Sequence, residues 1–445
     1  MMNDLTARSV LRFALAVAGT VTLAAIAATC LTLAGPVSAG SPEGEVDHEK
    51  IRRDRIKLLL PEIMKEQNID AWLTFTRENT PDPILPIIGI DHIVARGAFI
   101  FARDGKEFRS IAIAASYDVD PIHKSGLYDE VIAYKAEGVK PHLRKVIDAL
   151  APKRIAINYS RDVTIADGLT VGLRAYLDEA LGLHTKKFIS SERLVVSLLG
   201  RKMPEEIAAL ERAAEGTQRV IREALTSKRV KPGVTTENDL NDWMMARAKE
   251  LGFGVAFTSV VVGPQRGHSE PTDRVIERGD VIRIDWGASY GGYCADIQRT
   301  AYVLKEGETE APAWLQRLWD ATLAANRAAV AALKPGNTGN DVDTAGRGSL
   351  VDAGFPEYPH GTGHAIGLKV HDVGPMLGPD WPERYGDPVF FKIEPGQVFA
   401  VEPLIYIRPD EIGYDFHTGL EENLVVEKEG ARYIGTPQTE LILIR

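Results

Sequence analysis

Apolar runs of strand length alternate with amphipathic stretches over the first half of the chain. The strand-like runs cover residues 71–76, 97–102, 109–115, 130–134 and 154–158. Apolar positions recur at helical spacing over residues 51–67, 140–150 and 169–181, which predicts three helices there. Strands that alternate with helices are typical of an α/β sheet. Residues 51–198 are therefore expected to form one N-terminal α/β domain.

A change of pattern near Gly200 marks the expected start of a second domain, residues 200–445. A long helix begins near Met203, where Pro204 stands in the first turn and two glutamates follow at the positive end of the helix dipole. Further on, the sequence Lys-Pro-Gly-x-Thr occurs at 231–235 and again at 334–338, each time between two helical stretches. The repetition indicates an α+β domain built from two duplicated halves that face a central site.

The N-terminus has a different composition from the rest of the chain. Two arginines precede an almost uninterrupted apolar run over residues 13–34, and small residues follow at 36–39. This order is typical of an export signal, so we expect residues 1–39 to be a signal peptide and 40–50 a polar linker. A run of about 20 apolar residues can also span a bilayer, which makes an uncleaved membrane anchor the alternative. Both interpretations predict an exported protein, periplasmic or secreted.

Composition excludes several classes of protein. The 445 residues carry a formal net charge of -10 and no cluster of lysines and arginines, so a nucleic-acid partner is not expected. Of the two cysteines, Cys30 lies inside the predicted leader and Cys294 would remain as the single thiol of the mature chain. One thiol cannot form an internal disulfide or a thiolate zinc cluster.

Two aspartates stand at matching distances from a predicted hairpin turn. The segment 281–296 reads as two strands joined near Tyr290 and Gly291, midway between Asp285 and Asp296. Antiparallel pairing about that turn would place the two carboxylates directly opposite each other. Paired positions have Cβ atoms about 4.5 to 5.5 Å apart, which suits carboxylates that share metal ions about 3.5 to 4 Å apart.

Three further candidate ligands follow along the chain. His364 lies in a glycine-rich segment that also contains His360 and His371, Glu402 ends an apolar strand, and Glu421 precedes another. Together with the two aspartates they make four carboxylates and one imidazole, whose formal charge two divalent cations would balance. Such a donor set is typical of a dinuclear hydrolytic centre. The first hypothesis is therefore a hydrolase.

The motifs around these residues are similar to those of a known family. Two aspartates separated by ten residues, a His-Gly-x-Gly-His-x-x-Gly segment from His360, and Glu-Pro at 402–403 occur in the order of the pita-bread metallopeptidases. That superfamily comprises methionine aminopeptidase, aminopeptidase P, prolidase and the metal-free creatinase. The segment His-x-x-Pro-x-Asp-Arg from His268 also resembles it. The likeness spans about residues 200–440, and the preceding domain resembles the one found in the proline-specific and creatinase branches.

The resemblance implies how the five ligands divide between two metal ions. Asp285 would bind one ion, Asp296 and Glu421 would bridge both, and His364 and Glu402 would complete the two ligand sets. Oxygen-rich ligation with one imidazole suits Mn²⁺, Co²⁺, Fe²⁺ or Zn²⁺. Manganese is the expectation that the resemblance favours.

The resemblance also implies the residues that act on the substrate. Glu402 would carry a proton toward the leaving amine. His268 and His371 would contact the substrate backbone and the tetrahedral oxyanion, and His360 would line the leaving-group side. One position departs from the pattern, because Gly419 stands where proline-specific members usually carry arginine, two residues before the bridging glutamate.

The expected activity is removal of an N-terminal residue from short peptides, with Xaa-Pro the preferred substrate. Two alternatives remain at this point, a creatinase-like amidinohydrolase and a catalytically silent module that binds peptides. Retention of all five ligands argues against both. The resemblance further implies a homodimer or larger assembly, and membrane contact only through the anchor considered above.

Overall fold

The computed structural model describes residues 46–104, 107–267 and 269–445. The predicted signal peptide, most of the predicted linker and His268 lie outside the described residues. The first helix begins at His48, so the last three residues of the predicted linker are helical. Among the described helices, none combines the length and the hydropathy that crossing a bilayer requires.

The N-terminal half contains a mixed sheet between two layers of helices. Its strands are β1 (Ala71–Thr76), β2 (Gly97–Asp104), β3 (Glu107–Ala115), β4 (Glu130–Tyr134), β5 (Ile155–Ile157) and β6 (Phe188–Ser190). Its helices are α1 (His48–Asp54), α2 (Leu60–Glu66), α3 (Val119–Ser125), α4 (Val139–Leu150), α5 (Val171–Leu181) and α6 (Glu192–Gly200), with a π-helical turn Arg55–Leu59 between the first two. Short 3₁₀ turns cover Thr164–Ala166 and Gly182–Lys187.

The six strands lie in the order β4-β3-β2-β1-β5-β6. The β1-β2 and β2-β3 pairs are antiparallel, and the remaining pairs are parallel. One face packs against the π-helical turn, α2 and α6 through residues such as Ile56 and Leu198, and the other packs against α4 and α5 through Leu143 and Leu177. The five predicted strands are all present. The short strand β6 and the helices α3 and α6 were not predicted.

The C-terminal half contains four longer helices and eleven strands in the described chain. The helices are α7 (Pro204–Ala224), α8 (Glu237–Glu250), α9 (Ala313–Ala332) and α10 (Gly339–Asp352). The strands are β7 (Gly254–Val262), β8 (Val281–Tyr290), β9 (Tyr293–Cys294), β10 (Ile297–Val303), β11 (Gly363–Ala365), β12 (Val398–Val401), β13 (Leu404–Ile407), β14 (Phe416–Gly419), β15 (Glu422–Val426), β16 (Ala431–Tyr433) and β17 (Ile442–Ile444). A 3₁₀ turn covers Asp387–Phe390.

These strands form two main sheets with a helix pair behind each. The first has the order β17-β10-β8-β7, with β9 attached to β8, and packs against α7 and α8. The second has the order β11-β12-β15-β16, and α9 and α10 pack against it through residues such as Ala329 and Val342. The helices cover one face of each sheet with apolar contacts. The polar residues of the sheets therefore gather on the faces that the helices leave open.

The two halves repeat their local structure as well as their sequence. Gly233 and Gly336 both have positive φ, 77° and 91°, and their amides donate to the Ile276 and Ile393 carbonyls. The next helix of each half is capped by a threonine, Thr236 for α8 and Thr338 for α10, in a capping box with an aspartate. The short sequence repeat therefore marks a structural duplication.

Candidate metal centre

The duplication places one acidic residue at an equivalent position in each half, Asp285 within β8 and Glu402 directly after β12. Asp285 is nine positions after Ile276, and Glu402 is nine positions after Ile393. In both segments a glycine with φ near +90°, Gly279 or Gly396, turns the chain into the strand. This longer repeat is visible in the sequence, but the candidate ligands were predicted from their motifs without it.

Asp285 and Asp296 lie on one hairpin, but not directly opposite each other. Asp285 faces Gln298 across the β8-β10 pair, and Asp296 falls between the pairs formed by Cys294 and Ile297. The predicted register is therefore wrong by two residues. The turn is centred on Gly291 and Gly292, whose φ values of 55° and 81° fit a tight two-residue hairpin loop. Because side chains alternate with a period of two, the shift leaves both carboxylates on the same face.

The other three candidate ligands lie in or beside strands of the second sheet. His364 on β11 pairs with Ala400 on β12, and cross-strand partners share a face. Glu402 follows β12 directly, and its amide donates to the Thr362 carbonyl at 2.8 Å. Glu421 precedes β15, and its amide donates to the Gln298 carbonyl of the hairpin at 3.3 Å. The second sheet thus places its three candidate ligands next to the hairpin.

A side-chain amide joins the two sheets at this point. Asn423 on β15 accepts a hydrogen bond from the Asp296 amide at 3.1 Å and donates to the Asp296 carbonyl at 2.5 Å. The backbone of one bridging candidate is therefore fixed by the strand that begins beside the other, Glu421.

The structure brings Asp296, His364 and Glu421 together in a buried cluster. One ligand atom from each lies within 4.8 Å of the other two. His364 Nε2 is 3.4 Å from Asp296 Oδ2 and 3.8 Å from Glu402 Oε1. Asp285 is also buried, whereas the Glu402 side chain keeps 26% of its surface exposed. The group has the donors and the spacing that a divalent ion needs.

The electrostatics of the cluster favour a cation. Burial, followed by the nearby carboxylates of Asp296, Glu402 and Asp285, raises the pKa of Glu421 well above its ordinary value. Burial alone would lower the pKa of His364, but Asp296 and Glu402 outweigh it and raise this pKa to about 9. Several buried acids that repel one another are stable when a metal ion balances their charge. The residues present therefore fit a metal centre.

The three histidines predicted to meet the substrate have different surroundings. The exposed His371 ring stacks on His364, with centroids 3.9 Å apart and planes 17° apart. His360 is half-buried beside Tyr358, and its Nδ1 lies 2.7 Å from the Gly361 carbonyl oxygen. His268 lies outside the described residues, so its predicted role stays a prediction.

Sequence reasoning missed a buried ion pair that holds residues 358–362 in place. Asp343 and Arg347, both on α10, form a bidentate pair at 2.8 and 2.9 Å. Arg347 also donates to the carbonyls of Tyr358 and His360, and Asp343 accepts from the Thr362 amide and hydroxyl. The acid and base four residues apart were a weak signal, because the same spacing is common on exposed helices.

Comparison with known proteins identifies the family. Residues 208–428 match the model of metallopeptidase family M24. This part of the chain is an M24 metallopeptidase domain. It is an enzyme of the hydrolase class, and the pita-bread superfamily predicted from the motifs is confirmed.

Individual relatives agree with this placement. The uncharacterized peptidase YqhT of Bacillus subtilis is 32% identical over 250 residues, which cover 55% of this chain and 64% of the relative. A solved Xaa-Pro dipeptidase from Bacillus anthracis has a TM-score of 0.58 and 25% identity, with 89% of this chain and 99% of that chain covered. A solved X-Pro aminopeptidase from Thermotoga maritima has a TM-score of 0.55 and 26% identity, with 86% and 99% covered. The predicted fold class, an α/β domain followed by a pita-bread α+β domain, is confirmed.

Gly419, which replaces the arginine of proline-specific members, lies in a space that another side chain fills. Gly419 ends β14, and its carbonyl accepts from the Thr300 hydroxyl of β10 at 2.9 Å. The side-chain amide of Gln298 fills the space beside its α-carbon. A neutral amide, on the residue that faces Asp285 across the hairpin, therefore fills the position where the resemblance led us to expect a guanidinium.

Proposed function

We propose that this M24 enzyme hydrolyses the N-terminal peptide bond of short peptides, with Xaa-Pro as the preferred class. The convergence of Asp296, His364 and Glu421 within 4.8 Å, with Glu402 at its open side, is the observation that carries the proposal. Asp285 completes a set of five ligands for two divalent ions, manganese by preference. Ions bound there would lower the pKa of bound water and polarise the scissile carbonyl.

The side chains of the chain supply the remaining functions. Glu402 is the most exposed of the ligand carboxylates and can pass a proton to the departing amine. His371 presents its ring beside His364, where an N–H donor would stabilise the negative charge that develops on the carbonyl oxygen. His360 would line the leaving-group side, and His268 would contact the substrate backbone.

Two solved relatives support the substrate class without fixing substrate length. One is described as an Xaa-Pro dipeptidase and the other as an X-Pro aminopeptidase. We propose that this chain acts outside the cytoplasm, in the periplasm or as a secreted protein, because of its leader-like N-terminus. A homodimer or larger assembly is part of the same proposal. Fractionation of cells that express the full chain, and light scattering of the purified protein, test these two points.

One experiment tests the reaction. A peptide library digested in the presence of Mn²⁺ and analysed by mass spectrometry should lose N-terminal residues, most rapidly before proline. Chelation and Asp296→Ala should each reduce turnover at least about 100-fold, since both remove the source of nucleophile activation. Peptide turnover that survives Asp296→Ala would contradict the mechanism. Turnover of creatine with intact peptides, or peptide binding without turnover, would support one of the two alternatives.

A further inference from the structure

We propose that Lys202 is a positioning residue that fixes His371 beside the metal centre. Lys202 lies in the connection between α6 and α7, outside the motifs of the site. Its effect passes through Asp372, the neighbour of His371 in the chain. The catalytic consequence rests on the proposed peptidase function, whereas the effect on the His371 segment does not.

The ammonium of Lys202 is buried and makes two hydrogen bonds. Only 2% of its side chain is exposed, and it donates to Asp372 Oδ2 at 2.8 Å and to the Leu199 carbonyl at 3.0 Å. A buried ammonium is costly unless it is paired, so these contacts fix its place. Lys202 and Asp372 are 170 residues apart in sequence. The pair therefore ties the end of α6 to the segment that carries His371.

The segment leaves the Lys202–Asp372 pair little room to move. The Asp372 amide donates to the Ala365 carbonyl at 2.9 Å, and the Gly367 carbonyl accepts from the Cys294 amide at 2.8 Å. A β-carbon at position 367 would overlap the Asp372 carboxylate and come within 2.6 Å of Lys202 Nζ. Gly367 is thus the residue that allows the carboxylate and the ammonium to meet.

The position of Asp372 determines where the His371 ring can lie. That ring is exposed and rests with one face on His364, at a centroid distance of 3.9 Å. Its contact with Lys202 is indirect, through the backbone shared with Asp372. A misplacement of about 1 Å in a group that stabilises a transition state can cost about 100-fold in rate. Loss of the lysine should therefore affect turnover more than substrate binding.

A simpler account is that Lys202 only closes the junction between the two domains. Arg201, its neighbour, provides the matched control. Its guanidinium binds Glu394 at 2.8 Å and Glu66, one on each side of the junction, and neither partner belongs to residues 366–374. Arg201→Gln thus weakens the junction and leaves the His371 segment untouched.

Steady-state kinetics with an Xaa-Pro peptide and saturating Mn²⁺ separate the two accounts. For Lys202→Met we expect kcat to fall about tenfold, with KM within about twofold and metal content unchanged. Arg201→Gln should stay within about twofold of the wild type in both constants. Gly367→Ala, which displaces Asp372 while the lysine remains, should reproduce the loss in kcat and serves if Lys202→Met fails to fold. Equal losses in Lys202→Met and Arg201→Gln would overturn the proposal.

Amide hydrogen exchange of the metal-free protein tests the positioning without any activity measurement. The Asp372 amide, which donates to Ala365, should exchange at least about fivefold faster in Lys202→Met than in the wild type or Arg201→Gln. Unchanged exchange across residues 366–374 would refute the positioning role. If the wild type hydrolyses no peptide while the exchange result holds, the proposed function is wrong and the role of Lys202 in holding the segment stands.

Discussion

The side-chain amide of Gln298 lies against the α-carbon of Gly419, so that a β-carbon at position 419 would overlap it. Gln298 faces Asp285 across the hairpin, and its own carbonyl accepts from the Glu421 amide. The two residues therefore form a matched pair at the border of the candidate metal centre. A larger residue at one position requires a change at the other.

The contact between Gln298 and Gly419 predicts that a methyl group added at position 419 destabilises the protein. Gly419→Ala should lower the free energy of unfolding by about 1 to 3 kcal/mol, because the added carbon must displace the Gln298 side chain from a packed site. Gln298→Ala combined with it should recover most of that loss, since the space is then free. Urea unfolding of both variants measures the difference. Equal stability of the single and double variants would contradict the pairing.

The buried ion pair on α10 predicts a large loss of stability. Arg347→Met leaves the Asp343 carboxylate buried without its cation and removes donors to the Tyr358 and His360 carbonyls. Breaking one partner of such a pair typically costs about 3 to 5 kcal/mol. Arg144→Met is the control, because Arg144 and Asp148 are also four residues apart but exposed. The urea midpoint should fall steeply for the first variant and stay near the wild type for the second.

Metal binding should stabilise the protein measurably. Divalent ions balance the carboxylates around Glu421, so Mn²⁺ at about 100 times its dissociation constant adds about 2.7 kcal/mol to the free energy of unfolding. The thermal midpoint should therefore rise with Mn²⁺ and return to its original value with a chelator. Glu421→Gln should abolish the rise, whereas the exposed Glu440→Gln should keep it. A rise of equal size in both variants would place the ion elsewhere.

The thiol of Cys294 should be nearly inert in the folded protein. Burial, with smaller contributions from the Asp372 and Asp296 carboxylates, raises its pKa to about 11. At pH 8 the thiolate fraction is then on the order of 100-fold below that of an unperturbed cysteine. Iodoacetamide labelling followed by peptide mapping should therefore be slow in buffer and fast in urea. Similar rates in the two conditions would show that the thiol is accessible.

The sequence was sufficient for much of the fold. The five strands of the first sheet follow from their apolar runs, and the repeated Lys-Pro-Gly-x-Thr segments correspond to turns before capped helices. The unpredicted strand β6 has only three residues, all half-buried, which is too little for periodicity to detect. The hairpin register was missed because Gly291 and Gly292 together accept positive φ, which set the turn one residue further along than the midpoint of the two aspartates.

The sequence by itself determined the chemistry of the candidate centre, since four acidic residues and one histidine within recognisable motifs can be identified without a structure. Their convergence was decided by tertiary structure, which brought the β8-β10 hairpin of one sheet beside β15 of the other and joined them through Asn423. The contacts of Lys202 with Asp372 and of Gln298 with Gly419 were not predicted either. Each contact joins segments more than 100 residues apart. Such contacts arise from packing in the folded protein, so the spacing of apolar and polar residues along the sequence does not predict them.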